Sequence, residues 1–276
     1  MELCCSILDP TGNITALVES EIAIANQPSV AAEIMRRHPE VEQVGFLRPA
    51  SEDGVAAELR MAGGEFCGNA SMCAAALCVL NGWQEAGSLL LRVSGTKQPV
   101  AVSLRRDGDT FFRAELTMPP VRGSEARAFR FEGVDGVLPL VRLEGISHLI
   151  AKPSSAFFAL LKNQEAAERA VRFFCDVLQT EGLGLLFLEG DGAERRMTPL
   201  VYIPGSGTVF WENSCASGSA AAGAYLAKMS GAAVDLKLRE PGGTLRVRCD
   251  PASGEILLAG SVKLVSRFSE KISESC

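Results

Sequence analysis

Two stretches decide how this chain is read: G-G-E-F-C-G-N-A, residues 63–70, and W-E-N-S-C-A-S-G-S-A, residues 211–220. Each sets one cysteine, Cys67 or Cys215, directly before small residues that open a helix-forming segment. The first helix is expected over Ala70 to Leu80 and is stopped by Asn81-Gly82; the second runs to about Lys228 and is stopped by Met229-Ser230-Gly231. Three short alternating runs follow each helix. They are Leu89 to Gly95, Val100 to Leu104 and Phe111 to Leu116 after the first, and Val234 to Leu238, Leu245 to Cys249 and Ile256 to Val262 after the second. The turn glycines Gly95 and Gly242 follow their cysteines at nearly equal spacing. This order of cysteine, helix and meander, used twice, predicts an α/β (α+β) fold of two similar, pseudo-symmetric domains, each a curved, barrel-like sheet around a central helix. The division expected is residues 1–122 with Cys67 and residues 123–276 with Cys215, the final strand being able to pack with the first domain.

Upstream of Cys67, Leu3 to Val18 reads as strand, turn and strand around Asp9-Pro10-Thr11-Gly12-Asn13. A helix from Pro28 to Arg37, ended by His38-Pro39, and strands at Val44–Leu47 and Val55–Arg60 complete the first half. The second half opens with strands around Phe131 to Leu143 and a short strand, Ser147 to Ala151, that holds His148. Its helix, Asn163 to Leu178, puts Ala170, Val171, Phe174, Cys175 and Leu178 on one face, and the spacing predicts a Glu168–Arg172 pair. Strands at Gly184–Leu188 and Leu200–Ile203 lead back to the second cysteine motif.

Composition excludes several functions. With 27 basic and 33 acidic residues, a net charge of -6 and no basic block, neither nucleic acid nor an anionic membrane is an expected partner. No apolar run reaches the length of a membrane span and the start, M-E-L-C-C-S, has no signal-like pattern, so a soluble, cytoplasmic protein is expected. Nine cysteines without a C-x-x-C pair, and only two histidines, His38 and His148, argue against a disulfide framework or a zinc centre, and no metal or other cofactor is expected.

Two like domains would bring two helix N-termini, each with unpaired N–H groups and a positive dipole end, to a carboxylate. A cysteine at such a start has its thiolate favoured electrostatically. Paired thiols suit a reaction that is itself mirror-like: one thiolate removes an α-proton, the thiol on the opposite face returns one, and the enantiomers exchange these roles. Such stereoinversion needs preorganised dipoles for the enolate-like transition state, and neither a metal nor pyridoxal phosphate.

The two cysteine motifs, with Pro10-Thr11-Gly12-Asn13 upstream and Pro241-Gly242-Gly243 downstream, resemble those of the diaminopimelate epimerase family, cofactor-independent racemases that use two cysteines. Within it, Glu42-Gln43-Val44-Gly45-Phe46, Tyr202-Ile203-Pro204 and Trp211-Glu212-Asn213-Ser214-Cys215 are similar to the histidine racemases that provide D-histidine for opine-type metallophores. Diaminopimelate epimerase itself has a glutamate-arginine-glycine segment before its second cysteine, the arginine meeting the distal carboxylate; here Gly207-Thr208-Val209-Phe210-Trp211-Glu212 has no arginine. The resemblance implies Cys67 and Cys215 as acid and base. It also implies Asn13, Asn69 and Asn213 on the amino acid's ammonium and carboxylate, and the amides of Gly68, Asn69, Ala216 and Ser217 as anion contacts. Gln43, His148 and Glu212 are further pocket residues, and Glu42 would line the side-chain pocket, where a carboxylate favours a cationic or N–H-bearing substrate. The small-molecule partner is thus an amino acid; monomer and homodimer both fit, the resemblance leaning to the dimer.

Taken without the resemblance, Asn13 also reads as a turn residue, Asn69 and Ser217 as helix caps, Glu42 as a solvated loop residue, Glu212 as a turn support and His148 as a hydrogen-bonded core residue. Trp211 reads as packing or cleft wall. The other cysteines serve as contrasts. Cys73 and Cys78 follow Cys67 by about 240° and 20° of helical rotation and are expected in the core, Cys175 on an apolar helix face and Cys249 in a strand; Cys4, Cys5 and Cys276 have no argument for chemistry. Rival readings are epimerisation of diaminopimelate or another amino acid, isomerisation of the phenazine-biosynthesis type, hydrolysis with Cys215 and His148, and amino-acid binding without catalysis. Proline racemases are set aside because their Cys-Gly-His segment is absent.

Overall fold

A computed structural model of the chain describes residues 2–205 and 207–271. The chain divides into two compact units, one running to Leu116 and including the segment from Ala259, the other Thr117–Leu258. Compared with the expected division at residue 122, residues 117–122 lie with the second unit and the last segment with the first. Among the described residues no helix is long and apolar enough to cross a membrane.

In the first unit β1 (Glu2–Asp9) runs antiparallel to β2 (Thr15–Val18). Helix α1 (Gln27–Arg37), with Pro28 in its first turn, crosses over to β3 (Gln43–Pro49), parallel to β2. Strand β4 (Ala57–Met61) returns antiparallel, and α2 (Gly68–Leu80) crosses over to β5 (Ser88–Val93), parallel to β4. Strands β6 (Val100–Arg106) and β7 (Phe111–Thr117) continue as an antiparallel meander.

Helix α2 is apolar or small all round and buried from Gly68 to Val79, which makes it a central helix and not a surface one. Strands β1 to β3 are therefore buried on both faces except at the start of β1 and the end of β3. Leu3, Cys5, Ile7, Ala16, Val18, Val44 and Phe46 pack with Val30, Ala31 and Ile34 of α1. The alternate residues, among them Thr15, Leu17, Gln43 and Gly45, fall on the other face, the one turned to α2. Thr15 and Gln43 are register partners in the parallel β2–β3 pair, so their side chains emerge side by side.

The second unit begins with the hairpin β8 (Gly123–Phe131) and β9 (Val134–Arg142). Strand β10 (Ser147–Ala151) lies antiparallel to β9, α3 (Gln164–Leu178) leads to β11 (Leu183–Glu189) parallel to β10, and β12 (Glu194–Ile203) is antiparallel to β11. A short β13 (Thr208–Trp211) pairs with β12; α4 (Ala216–Ser230) then crosses over to β14 (Val234–Glu240), parallel to β12, and β15 (Gly243–Cys249) returns. Strand β16 (Ile256–Lys271) begins here, beside β15. From Ala259 it belongs to the first unit, where it neighbours β7 and pairs antiparallel with β1, closing that unit's sheet into a barrel.

The repeat extends beyond the cysteine helices. The order β1-β2-α1-β3-β4-α2-β5-β6 recurs as β9-β10-α3-β11-β12-α4-β14-β15, with the same succession of antiparallel and parallel pairings. Helices α1 and α3 are thus equivalent crossovers, and α3 buries Ala170, Val171, Phe174, Cys175 and Leu178 as its periodicity predicts. The expected Glu168–Arg172 pair gives way to tertiary contacts. Glu168 accepts from Trp211 Nε1 at 3.2 Å, and the Arg172 guanidinium lies 4.7 Å from the Tyr202 ring centre. A half-exposed i,i+4 ion pair is worth only about 0.3–0.5 kcal/mol, so such partners displace it readily.

Candidate active site

Each cysteine is the N-cap of its unit's central helix. Cys67 has φ -132° and ψ 114°, and its sulfur accepts the Ala70 N–H at 3.3 Å. Cys215 has φ -128° and ψ 101°, and its sulfur accepts the Gly218 N–H at 3.3 Å. The sulfur thus takes the place that a serine or aspartate oxygen holds in an ordinary cap. Gly68 and Asn69, and Ala216 and Ser217, supply the other first-turn N–H groups, which have no carbonyl partner inside a helix.

The turn after the following parallel strand buttresses each cap. In the first unit Ser94 Oγ donates to the Glu65 carbonyl at 2.8 Å and accepts the Met61 N–H at 2.9 Å. In the second, Glu240 and Gly243 close the two-residue turn Pro241-Gly242, whose Gly242 N–H donates to the Asn213 carbonyl at 2.7 Å. The Pro-Gly-Gly segment is therefore support for the loop that carries Cys215.

Around Cys67 the predicted residues form one hydrogen-bonded chain. The Cys67 thiol donates to Gln43 Oε1 at 2.9 Å, Gln43 Nε2 donates to Thr15 Oγ1 at 2.7 Å, and Thr15 Oγ1 donates to the Asn13 carbonyl at 2.9 Å. Asn13 is buried and its Nδ2 donates to Glu42 Oε2 at 2.7 Å, while its Oδ1 is buried without a hydrogen-bond partner among the described residues. Asn13, Glu42, Gln43, Cys67, Gly68 and Asn69 thus occupy one region of the first unit. Thr15, which links them, is a residue that sequence reasoning missed; its signal was a hydroxyl on a strand otherwise apolar.

Around Cys215 lie Glu212, Asn213, Ala216, Ser217 and His148. Ser217 Oγ is 3.7 Å from the Cys215 sulfur and 3.0 Å from His148 Nε2. His148 is fully buried, and its Nδ1 faces Gly184, the register partner in β11, where an added Cβ would lie 2.2 Å away. Only glycine leaves room for the ring. Glu240, also missed, accepts the Cys215 N–H at 2.6 Å.

Electrostatics correct one expectation. A helix-start thiolate was expected to be favoured, yet the Cys215 thiol is pushed well above its usual range. Burial is the chief cause, followed by the negative charges of Glu212 and Glu240 and the hydrogen bond with Glu212; Ser217 pulls the other way. In a dry site, desolvation outweighs a helix terminus. Among the other described cysteines, Cys4 is exposed. Cys5, Cys73, Cys78, Cys175 and Cys249 are buried, and burial pushes their thiols up, to about 12 for Cys5, Cys78 and Cys249 and about 11 for Cys175. Cys276 lies outside the described residues. Trp211 packs, stacking on Phe187 with ring centres 5.9 Å apart. Among the described residues no cluster of three or more His, Cys, Asp or Glu side chains is arranged to hold a metal ion.

Burial lowers the His148 imidazole to about 3. The unfolded chain takes up a proton near pH 6.5 that the folded chain refuses until about pH 3, so this contribution to stability is present above pH 6.5 and is lost as pH falls towards 3. Urea unfolding at several pH values is expected to show an acid slope of up to ~1.4 kcal/mol per pH unit that is missing in His148→Gln. Equal slopes in the two proteins would remove this account.

Residues 5–268 match the protein-family model described as the histidine racemase CntK N-terminal domain. A histidine racemase of Fusobacterium nucleatum subsp. nucleatum is 32% identical over 269 residues, covering 94% of this chain and 93% of that protein. A histidine racemase of Staphylococcus aureus is 28% identical, covering 94% and 93%. Among solved structures, a phenazine biosynthesis protein of the PhzF family from Bacillus anthracis aligns with a TM-score of 0.66 at 15% identity, covering 99% of this chain and 100% of that one. A hydroxyproline epimerase from Agrobacterium vitis aligns at 0.68 and 15%, covering 98% and 91%. At these identities the structural likeness establishes the fold.

Proposed function

The chain belongs to the family of the histidine racemase CntK N-terminal domain, and on that premise we propose that it interconverts L- and D-histidine with Cys67 and Cys215 as the two acid/base groups. Membership makes it a racemase or epimerase that works without pyridoxal phosphate. The observation that carries the finer reading is the doubled cap: two units of like topology each hold one cysteine at the start of a central helix, with similar extended backbone angles and the same sulfur contact. In the proposed reaction one thiolate takes the α-proton and the other thiol delivers one to the opposite face. The first-turn amides at Gly68, Asn69, Ala216 and Ser217 suit the substrate carboxylate, whose negative charge grows as the enolate forms. Asn13 Oδ1, a buried acceptor beside Glu42, suits an ammonium. An ammonium brought near Glu212 would also offset the charge that holds the Cys215 thiol up.

Substrate choice rests on two features. The absence of arginine in Gly207–Glu212 leaves the distal carboxylate of diaminopimelate without its donor, a costly deficit in a dry site. Glu42 or Glu212 can accept from an imidazole N–H, which an aliphatic side chain does not offer. Purified protein given L- or D-histidine should approach equal amounts of both, since free enantiomers have equal energies, and diaminopimelate should react poorly. Chiral chromatography of parallel reactions tests this. Efficient formation of meso-diaminopimelate with negligible histidine turnover would overturn the substrate assignment and leave the two-thiol reading standing.

A further inference from the structure

Beside Cys215 stands a carboxyl group that the proton-transfer scheme does not use. Strand β14 alternates, with Leu236, Leu238 and Glu240 on its buried phase and Asp235, Lys237 and Arg239 exposed. Glu240 is only 5% exposed, an acid at a position where the pattern calls for an apolar residue. Its Oε2 accepts the Cys215 N–H at 2.6 Å and its Oε1 accepts the Ser219 hydroxyl at 2.5 Å. The Ser219 N–H in turn donates to the Cys215 carbonyl at 2.9 Å. One carboxyl therefore spans the cap residue and the first turn of α4.

Among the described residues no cation is among the groups that act on Glu240. Burial pushes its acid up to about 8, against the two hydrogen bonds and with a further rise from Glu212. The first unit supports its loop differently: the residue after β5 is Ser94, which holds the loop before Cys67 through a hydroxyl and not a carboxyl. A neutral side chain is thus sufficient to buttress such a cap, and an acid adds something a buttress does not need.

We propose that Glu240 is a positioning residue whose carboxyl clamps the start of α4 and whose own proton sets how readily Cys215 gives up its proton. The inference rests on reading Cys215 as a reacting thiol. The groups facing that thiol are Glu212 from the preceding loop, Ser217 from α4 and Glu240 from β14; His148 of β10 reaches it through Ser217 and is neutral in the working range. With Glu240 protonated, Cys215 ionises against the charge of Glu212. Once Glu240 ionises, a second negative charge opposes the thiolate. The two groups then titrate as a coupled pair; the turn after β5 in the first unit carries the neutral Ser94.

The test follows thiol ionisation directly. Iodoacetamide labelling of Cys215 and Cys67 is followed against pH by peptide mass spectrometry in the wild type, Glu240→Gln and Ser219→Ala. The thiolate ultraviolet absorbance, taken as the difference from the matching Cys215→Ser protein, gives the same titration without dependence on reagent access. Above pH 8, Glu240→Gln should label Cys215 about tenfold faster than wild type, a shift of about one pKa unit, with Cys67 unchanged. Ser219→Ala removes a donor that favours the carboxylate, so Glu240 keeps its proton to higher pH and Cys215 should shift in the same direction by less. It decides the matter if Glu240→Gln does not fold. An unchanged Cys215 titration, or an equal shift at both cysteines, would overturn the proposal, because a merely structural clamp would do no more than that. A Cys215-specific shift in a protein that does not turn over histidine would support the clamp while sinking the substrate assignment.

Discussion

Serine in place of either Cys67 or Cys215 should lower racemisation of histidine in both directions by about 10²–10⁴-fold, the range typical of losing a general acid or base. Both directions suffer because each thiol is the base for one enantiomer and the acid for the other. Serine keeps nearly the same shape and is itself a good helix cap, so the Ala70 and Gly218 N–H groups retain an acceptor and the fold should hold. What is lost is an atom whose acidity can be brought near working pH; a hydroxyl is far too weak an acid. The single variants should remain distinguishable in D₂O. A lone remaining thiol can remove and return a proton on its own face, so each variant should exchange the α-proton of a different enantiomer without inverting it. Cys175→Ala, which removes packing under α3, should lower stability and leave turnover per folded molecule intact. Full racemisation by a verified Cys215→Ser protein would reject the two-thiol reaction.

The doubled device was legible because its signals are local. A cysteine followed by small helix-forming residues, a stop and a meander all lie within one stretch of chain; α4 begins directly after Cys215 as those signals place it, and α2 begins at Gly68, two residues ahead of the expected Ala70. Helices α1 and α3 were visible as helices, yet their equivalence was not, since it lies in the parallel pairings β2–β3 and β10–β11, which sequence patterns do not report. Strand β16 runs to Lys271, well past Val262, because its polar residues pair with β1 at the far end of the chain. The bond between Cys67 and Gln43 depends likewise on β3 returning beside β2, so Gln43 entered only through the family resemblance. Glu240 was within reach: the alternation of Val234, Leu236 and Leu238 puts it on the buried face. The Pro-Gly-Gly that follows is a stronger local signal, for a turn, and it masks the last position of the alternation.

That same supporting turn in the first unit makes Gly95→Ala a strongly damaging single-methyl change. Gly95 has φ +74°, and an added Cβ would sit 2.3 Å from the Phe66 nitrogen and 2.7 Å from the Glu65 carbonyl carbon. Both are backbone atoms immediately before Cys67, so no rotamer change relieves the clash and the loop carrying the cap must move. Left-handed strain of roughly 1–2 kcal/mol and overpacking of roughly 1–3 kcal/mol together give a destabilisation of about 2–5 kcal/mol. Catalysis should fall further than stability. The Cys67 sulfur is held by Gln43 at 2.9 Å and Ala70 at 3.3 Å, and a displacement of about 1 Å at such a group can cost on the order of 10²-fold in rate. Gly54→Ala separates the causes, because Gly54 has φ +80° with nothing within 4 Å of the added carbon. It should show the left-handed strain alone, with kcat unchanged. Urea unfolding and histidine turnover of the two variants decide between backbone strain and backbone contact: equal destabilisation of Gly95→Ala and Gly54→Ala, with kcat intact in both, would mean that the turn after β5 does not hold the Cys67 loop in place.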